Sequence, residues 1–413
     1  MNAHPPHHAA VPAERVPGPV RDAGGRRSVT VGVLVGLAAV LLLLAVGMVA
    51  TQVPGLGQAG AYVSAWAVWV VVAGFAVAAA GSVALLRRGT LTRLAVTAVG
   101  LVVVAISFTV LTQQLRVAQE HGVGVRIAEL FRVGRGDVAP DQDDTYGDHD
   151  GEAQGMSIWL PDGADRGSQD GAPVVVLVHG GGWVAGERSQ TTTASHAAWF
   201  ASQGYLALSV DYPLSTTTEH RWDVVEPQVA CALAWAGAHA ADHGGDASHV
   251  FLVGDSAGGN IALDVAYRTA SGTLEAACGG EVPPVAAVST LYPVANPIDF
   301  HDNPDLLLGD RSRSMIERYT GGTPDEVPER YAAVWPAEHV SAAAPPTLMV
   351  LGTADHMVPT TGADDLVDVL RANAVTHDLV RIPHGEHVFD AAPGGVGTQV
   401  WRELTLRLFT AAG

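Results

Sequence analysis

From Ser28 to Leu86 the chain runs for 59 residues without Asp, Glu, Lys or Arg, and Leu94 to Leu115 adds another 22. A helix needs about 20 predominantly apolar residues to cross a bilayer, so these stretches hold room for three spans. The turn-forming cluster Gln52-Val53-Pro54-Gly55-Leu56-Gly57-Gln58 breaks the longer stretch. The expected spans therefore lie near residues 29–51, 61–86 and 92–113. The apolar core of the first is too long for a cleaved signal peptide, where it runs about 7 to 15 residues. No polar face recurs at helical spacing, as it would in helices buried in a water-soluble domain.

Arginine placement sets an orientation, because all 23 basic residues are Arg. Arg15, Arg21, Arg26 and Arg27 precede the first span, Arg87, Arg88 and Arg93 lie between the second and third, and the first loop is uncharged. The positive-inside rule puts the N-terminus and the second loop in the cytoplasm and the C-terminal portion outside the cell. Arg116, Arg126, Arg132 and Arg135 follow the third span and pull mildly the other way, with Glu120 and Glu129 among them. Tyr62, Trp66 and Trp69 fall at the outer end of the second span, where interfacial aromatics collect.

Charge divides at the same place. Residues 1–136 hold 11 Arg and 4 acidic residues, and residues 137–413 hold 12 Arg and 38, so the formal net charge of −19 splits into +7 and −26. An outward part this acidic repels nucleic acid and anionic headgroups, which excludes both as its partners. Its charge serves solubility. Both cysteines, Cys231 and Cys278, lie in this part, where oxidation is permitted. A disulfide and two buried thiols are both open readings.

Residues 1–27, rich in Pro, Ala, His and Arg, read as a disordered cytoplasmic tail, residues 28–115 as a three-span anchor and 116–143 as a juxtamembrane helix and connector. Asp137, Asp141, Asp143, Asp144, Asp148, Asp150 and Glu152 crowd one short run. It fails as an EF-hand because the required glycine position is Tyr146, and it reads as a solvated linker. Beyond it, apolar runs at 156–160, 174–178, 205–210, 250–253, 285–291, 347–351 and 378–382 alternate with helix-length segments at 193–202, 224–241, 260–269, 363–372 and 398–411. Such alternation indicates an α/β fold with a mostly parallel sheet covered on both faces, spanning 144–413. Residues 294–344 interrupt the alternation and read as a lid-like insertion.

Chemistry enters at Gly254-Asp255-Ser256-Ala257-Gly258, between the apolar run Phe251-Leu252-Val253 and the helical run beginning at Ile261. Glycines flanking a serine let the chain reverse sharply and hold the hydroxyl at the tip of the turn, near a helix N-terminus. His179-Gly180-Gly181-Gly182-Trp183 directly follows the run 174–178, and bare backbone N–H groups of this kind suit an oxyanion. Asp355 ends the run 347–351, and His384 and His387 follow the run 378–382. The order Ser, Asp, His is that of a hydrolase triad, with two histidines competing for the place of the base. The same two histidines, three apart, have no third cluster nearby to complete a metal site.

On His179 to Trp183, Asp211-Tyr212, Gly254 to Gly258, and Asp355 with His387, residues 144–413 resemble an α/β-hydrolase of the esterase and lipase branch, similar to hormone-sensitive-lipase-like carboxylesterases. The resemblance implies Ser256 as nucleophile, His387 as base in its Gly-x-His-x-Phe setting, Asp355 as the acid that orients it, and the N–H groups of Gly181, Gly182 and Ala257 as oxyanion hole. It implies hydrolysis of a small-molecule or cell-envelope ester through an acyl-enzyme, with no metal or organic cofactor. Asp211-Tyr212-Pro213-Leu214-Ser215-Thr216 departs from the usual Asp-Tyr-Arg-Leu-Ala-Pro-Glu, and Asp355 to Pro359 looks more like polysaccharide-deacetylating, feruloyl-esterase and serine-peptidase relatives. Acyl transfer, peptide cleavage and a non-catalytic binding role on the same scaffold are the alternatives.

Overall fold

The computed structural model describes residues 1, 23–136, 138–162 and 171–413, so most of the expected cytoplasmic tail, and Asp137, lie outside the described residues. Four helices come first: α1 (Ala23–Val49), α2 (Leu56–Ser64), α3 (Ala67–Arg87) and α4 (Leu91–Glu120). Three stretches within them, Val31–Val49, Ala67–Arg87 and Leu91–Glu120, are long and apolar enough to cross a membrane. α3 and α4 pack through small residues, since a Cβ on Gly100 would lie 2.6 Å from the Ala78 nitrogen and one on Gly81 would lie 2.6 Å from Thr97 Oγ1. Close backbone approach of this kind is how helices associate without a hydrophobic driving force.

The second span differs from expectation. Residues 61–64 belong to the separate helix α2, which folds back on the end of α1, and the span itself begins at Ala67. Glycines make the fold-back possible: a Cβ on Gly60 would stand 2.0 Å from the Gly47 carbonyl carbon, and one on Gly57 would stand 2.0 Å from the Thr51 carbonyl oxygen. α4 also runs past its expected end, to Glu120, and absorbs the start of the expected connector.

The expected acidic linker is instead largely a strand. β1 (Gln142–His149) pairs antiparallel with β2 (Glu152–Trp159), with Gln142 opposite Ile158 and His149 opposite Glu152. Its sequence conceals it because only Tyr146 is buried, while the acidic side chains face outward from the edge of the sheet. Some are used: Asp143 Oδ1 accepts from Ser157 Oγ at 2.6 Å and Asp141 Oδ2 from the Leu160 N–H at 2.8 Å.

The remaining strands are β3 (Ala172–Val178), β4 (Leu206–Val210), β5 (Gly245–Asp255), β6 (Val285–Leu291), β7 (Thr347–Gly352) and β8 (His377–Ile382). They form one eight-stranded sheet in the order β1-β2-β4-β3-β5-β6-β7-β8, parallel from β4 through β8. β4 and β7 are buried at every position, which fits strands covered on both faces. The covering helices are α5 (Thr191–Ser202), α6 (Val225–His239), α7 (Ala257–Ser271), α12 (Thr361–Ala372) and α13 (Val396–Ala412), with α8 (Pro297–His301), α9 (Gly309–Thr320), α10 (Pro328–Ala333) and α11 (Pro336–His339) filling the expected lid-like segment. Cys231 of α6 is disulfide-bonded to Cys278, which settles that open reading.

The helical bundle is docked on this sheet rather than hung from it. Gln399 brackets the Arg126 backbone, accepting from its N–H at 2.8 Å and donating to its carbonyl at 3.3 Å, and Arg407 donates to the His121 and Gly122 carbonyls. Arg135 donates to the Asp390 carbonyl at 3.2 Å, so one of the arginines that blur the charge rule is taken up in docking, while Arg132 pairs locally with Glu129.

Overpacking a tight contact costs roughly 1–3 kcal/mol. Gly60→Val should therefore lower the thermal midpoint of the full chain in detergent by several degrees, read by intrinsic fluorescence. A midpoint equal to wild type would mean that α1 and α2 do not pack as closely as described.

Candidate active site

Parallel register places the C-terminal ends of β3, β5, β7 and β8 at one edge: Val178 stands beside Gly254, and Gly352 beside Ile382. The turn from β5 into α7 is built as the sequence implied. Ser256 holds φ 54° and ψ −120°, a positive φ that a non-glycine residue keeps only when its surroundings impose it. They do so here because a Cβ on Gly254 would lie 2.2 Å from the Gly258 carbonyl oxygen, and one on Gly258 would lie 2.2 Å from the Val178 carbonyl oxygen. The Ser256 N–H is fixed by donating to the Leu291 carbonyl at 3.0 Å.

His387 Nε2 is 3.0 Å from Ser256 Oγ, and His387 Nδ1 is 2.8 Å from Asp355 Oδ2. The other Asp355 oxygen accepts from the N–H groups of Met357 and Val358 at 2.9 and 2.8 Å, which fixes the carboxylate plane. Burial pulls the His387 pKa down, but the charge and hydrogen bond of Asp355 outweigh it and leave the imidazole above its ordinary value. Of the two competing histidines, His384 points elsewhere, its Nε2 lying 2.6 Å from Gln113 Oε1. Among the described residues no group of three or more His, Cys, Asp or Glu is arranged to hold a metal ion.

Gly181 and Gly182 line the wall of a cavity of about 290 Å³ that opens over Ser256. Both have positive φ, 133° and 62°, and side chains there would strike the Ala185 carbonyl and Met315. Ala257 is the first residue of α7, where helical geometry leaves the N–H free of an intrahelical partner. Phe300, Met315 and Met357 give the cavity apolar walls, while Gln190, Thr192 and Arg311 supply polar groups. His179 does not face the chemistry: it is buried, stacked on Tyr212 at 4.3 Å, and Tyr212 Oη donates to its carbonyl at 2.8 Å. Gly180 approaches Asp255, whose Oδ1 accepts the Gly180 N–H at 3.1 Å.

Several residues at the site were not legible in the sequence. Asp255 ties the glycine loop to the serine turn, and burial, reinforced by the nearby charge of Asp390, raises its pKa to about 7. The Tyr292 ring packs 4.5 Å from that of His387, and its hydroxyl donates to buried Asp390, which also meets His196 Nε2 at 2.8 Å. Arg188 binds Asp211 through both its backbone and its guanidinium, which gives the Asp211-Tyr212 motif a bracing place behind the glycine loop. These partners are distant in sequence, and no local spacing announces them.

The sheet order and the sharp serine turn define an α/β-hydrolase fold. The family model described as BD-FAE matches residues 156–370, and the chain belongs to that family. It is 32% identical over 254 residues to Esterase LipC of Mycobacterium tuberculosis, covering 60% of each chain. It is 28% identical over 275 residues to the probable carboxylic ester hydrolase LipM of the same organism, covering 64% of this chain and 59% of that one. The chain thus spans about three-fifths of the length of these curated relatives. Among solved structures, the butyrate-bound esterase Est2 of Thermogutta terrifontis superposes with a TM-score of 0.54 at 22% identity, covering 68% of this chain and 98% of that one, a likeness of fold.

With Asp355 raising the His387 pKa against burial, removal of that charge should let burial dominate. In ¹³C spectra of histidine-labelled protein, assigned with His387→Gln, the His387 resonance should titrate above about 6.5 in the wild type and below it in Asp355→Asn. Equal midpoints in the two proteins would contradict the pairing.

Proposed function

We propose that this protein is a membrane-anchored serine carboxylic-ester hydrolase that works through Ser256, His387 and Asp355. The observation that carries the reading is the continuous hydrogen-bonded line from Ser256 Oγ through both nitrogens of His387 to Asp355. His387 Nε2 takes the serine proton as Oγ bonds to the ester carbonyl carbon, and Asp355 stabilises the resulting imidazolium. The N–H groups of Gly181, Gly182 and Ala257 receive the developing oxyanion. The imidazolium then protonates the departing alcohol, leaving an acyl-enzyme. Water, deprotonated by the same histidine, releases the acid and restores the serine. Family membership and the esterases among the relatives support this choice over acyl transfer and peptide cleavage. The cavity is at the small end for a small-molecule site, which favours short acyl groups.

The anchor comprises α1, α3 and α4, and the catalytic unit runs from β1 to the C-terminus. Thr51, Ser64 and Gln114, which contact the catalytic unit, all belong to one end of the bundle, while Arg87, Arg88 and Arg93 belong to the other. That arrangement supports a cytoplasmic N-terminus and an extracellular catalytic domain.

Ser256→Ala should lower turnover of p-nitrophenyl butyrate by at least about 1000-fold with an unchanged thermal midpoint. Substantial hydrolysis by that variant would sink the assignment. For the orientation, protease added to intact cells should digest the C-terminal domain, and protection of that domain would reverse the topology.

A further inference from the structure

The loop that carries His387 is held from the anchor side. Ser64 Oγ, at the end of α2, donates to the His384 carbonyl at 2.7 Å. Gln114 of α4 donates to the Pro383 carbonyl at 3.1 Å, and its neighbour Gln113 meets the His384 ring. His384 and Val388, on either side of the base, both have positive φ, 59° and 54°. Valine in that region is an outlier, and such backbone persists only where its surroundings over-determine it, at a cost of roughly 1–3 kcal/mol each.

A second link joins the anchor to both halves of the dyad that orients the proton transfer. His356 follows Asp355 and Glu386 precedes His387. The Glu386 carboxylate accepts from the His356 side chain and, at Oε1, from the N–H groups of His356 and His387 at 2.8 and 3.1 Å. The far nitrogen of the His356 ring, Nε2, donates to the Thr51 carbonyl at 2.9 Å, just past the end of α1. One carboxylate thus fastens the acid loop to the base loop, and one imidazole fastens that pair to the first span. Gln58 of α2 adds a bond at 3.0 Å to Asp305 in the lid-like segment.

We infer that the membrane anchor is a positioning element of the active site: through Thr51, Ser64 and Gln114, acting by way of His356 and Glu386, it holds the His387 loop in its working geometry. This rests on the reading of His387 as the base. None of the five residues faces the reacting atoms, so their effect falls on the rate of the chemical step and little on substrate binding.

The link also has a pH range. The hydrogen bond that His356 donates to Glu386 is the largest influence on it and, against burial and with help from the Thr51 carbonyl and the charges of Glu386 and Asp305, raises its pKa to about 9. With its folded-state value above the unfolded one, the charged link's contribution to stability is fully present below the ordinary histidine pKa and is lost as pH rises through about 9.

The test uses the full chain in detergent, comparing wild type with His356→Gln, Glu386→Gln and the pair Ser64→Ala with Gln114→Ala. For p-nitrophenyl butyrate we expect kcat to fall about 10-fold or more in each and KM to move by less than about twofold, the signature of lost orientation. Labelling of Ser256 by a fluorophosphonate should slow in parallel, and the fall in wild-type kcat near pH 9 should vanish in His356→Gln. Folded variants that match wild type in kcat, labelling and alkaline profile would overturn the inference and leave the hydrolase reading standing. A wild-type chain that neither labels nor turns over would overturn both. If one variant does not fold, the others decide: His356→Gln and Glu386→Gln each break the link through Thr51, and the Ser64→Ala, Gln114→Ala pair breaks the separate link to the Pro383 and His384 carbonyls.

Discussion

The first turn of α7 approaches the ends of β3 and β5 more closely than any side chain would permit, and the rest of the site depends on that approach. Gly258 lies against the Val178 carbonyl and Gly254 against Gly258, so the chain reverses without leaving the plane of the sheet edge. This puts Ser256 beside the glycine loop that leaves β3 and opposite the loops that leave β7 and β8. Each of those loops then needs only a few residues to bring Asp355 and His387 into line. Parallel register supplies the shared edge, and the glycine contacts decide that a hydroxyl stands on it.

Much of this was open to reading from the chain alone, for a physical reason. Buried parallel strands are continuous apolar runs, and β3 to β7 announce themselves that way, while shorter apolar runs mark antiparallel β2 and the edge strand β8. Positive φ at Gly181 and Gly182 and close approach at Gly180, Gly254 and Gly258 force glycine into the sequence, which is why the loop at 180–182 and the turn at 254–258 were visible. β1 was hidden because an edge strand with one buried residue, Tyr146, has no apolar pattern to show. The break between α2 and α3 was hidden for the converse reason. Apolar composition continues through Ala61 to Ala67, and what ends the helix is packing of Gly60 on Gly47 and the bond from Ser64 to a loop more than 300 residues away. Asp255, Tyr292, Glu386 and His356 act through partners that only the folded chain brings near. The disulfide is of the same kind, since two cysteines 47 residues apart fit either oxidation state until α6 is placed.

Charge inside the domain is arranged around the same edge. Asp355 and Asp255 lie close to His387 and Asp390 lies near Asp255, yet only Asp355 bonds to the His387 ring. Asp390 is held by His196 and the Tyr292 hydroxyl, whose hydrogen bonds keep its pKa low despite complete burial. Asp255 instead has a pKa raised to about 7 and spends one oxygen on the Gly180 N–H. Three carboxyl groups in one small volume thus have separate duties, set by the donors each one meets rather than by distance from the serine.

The two edges of the sheet are closed by different means. At β8 the outer turns of α4 lie alongside, with His121 3.6 Å from Asp378, while β1 meets solvent with a row of carboxylates. An unpaired strand edge is a template for pairing with another chain. Tethering to a bilayer would hold copies of the protein upright, in one plane and at high local density, the conditions under which such edges find each other. The apolar helix α4 therefore seals one edge against neighbouring copies, and mutual repulsion protects the other. In a tethered molecule the acidity of β1 would answer a crowding problem that the tether itself creates.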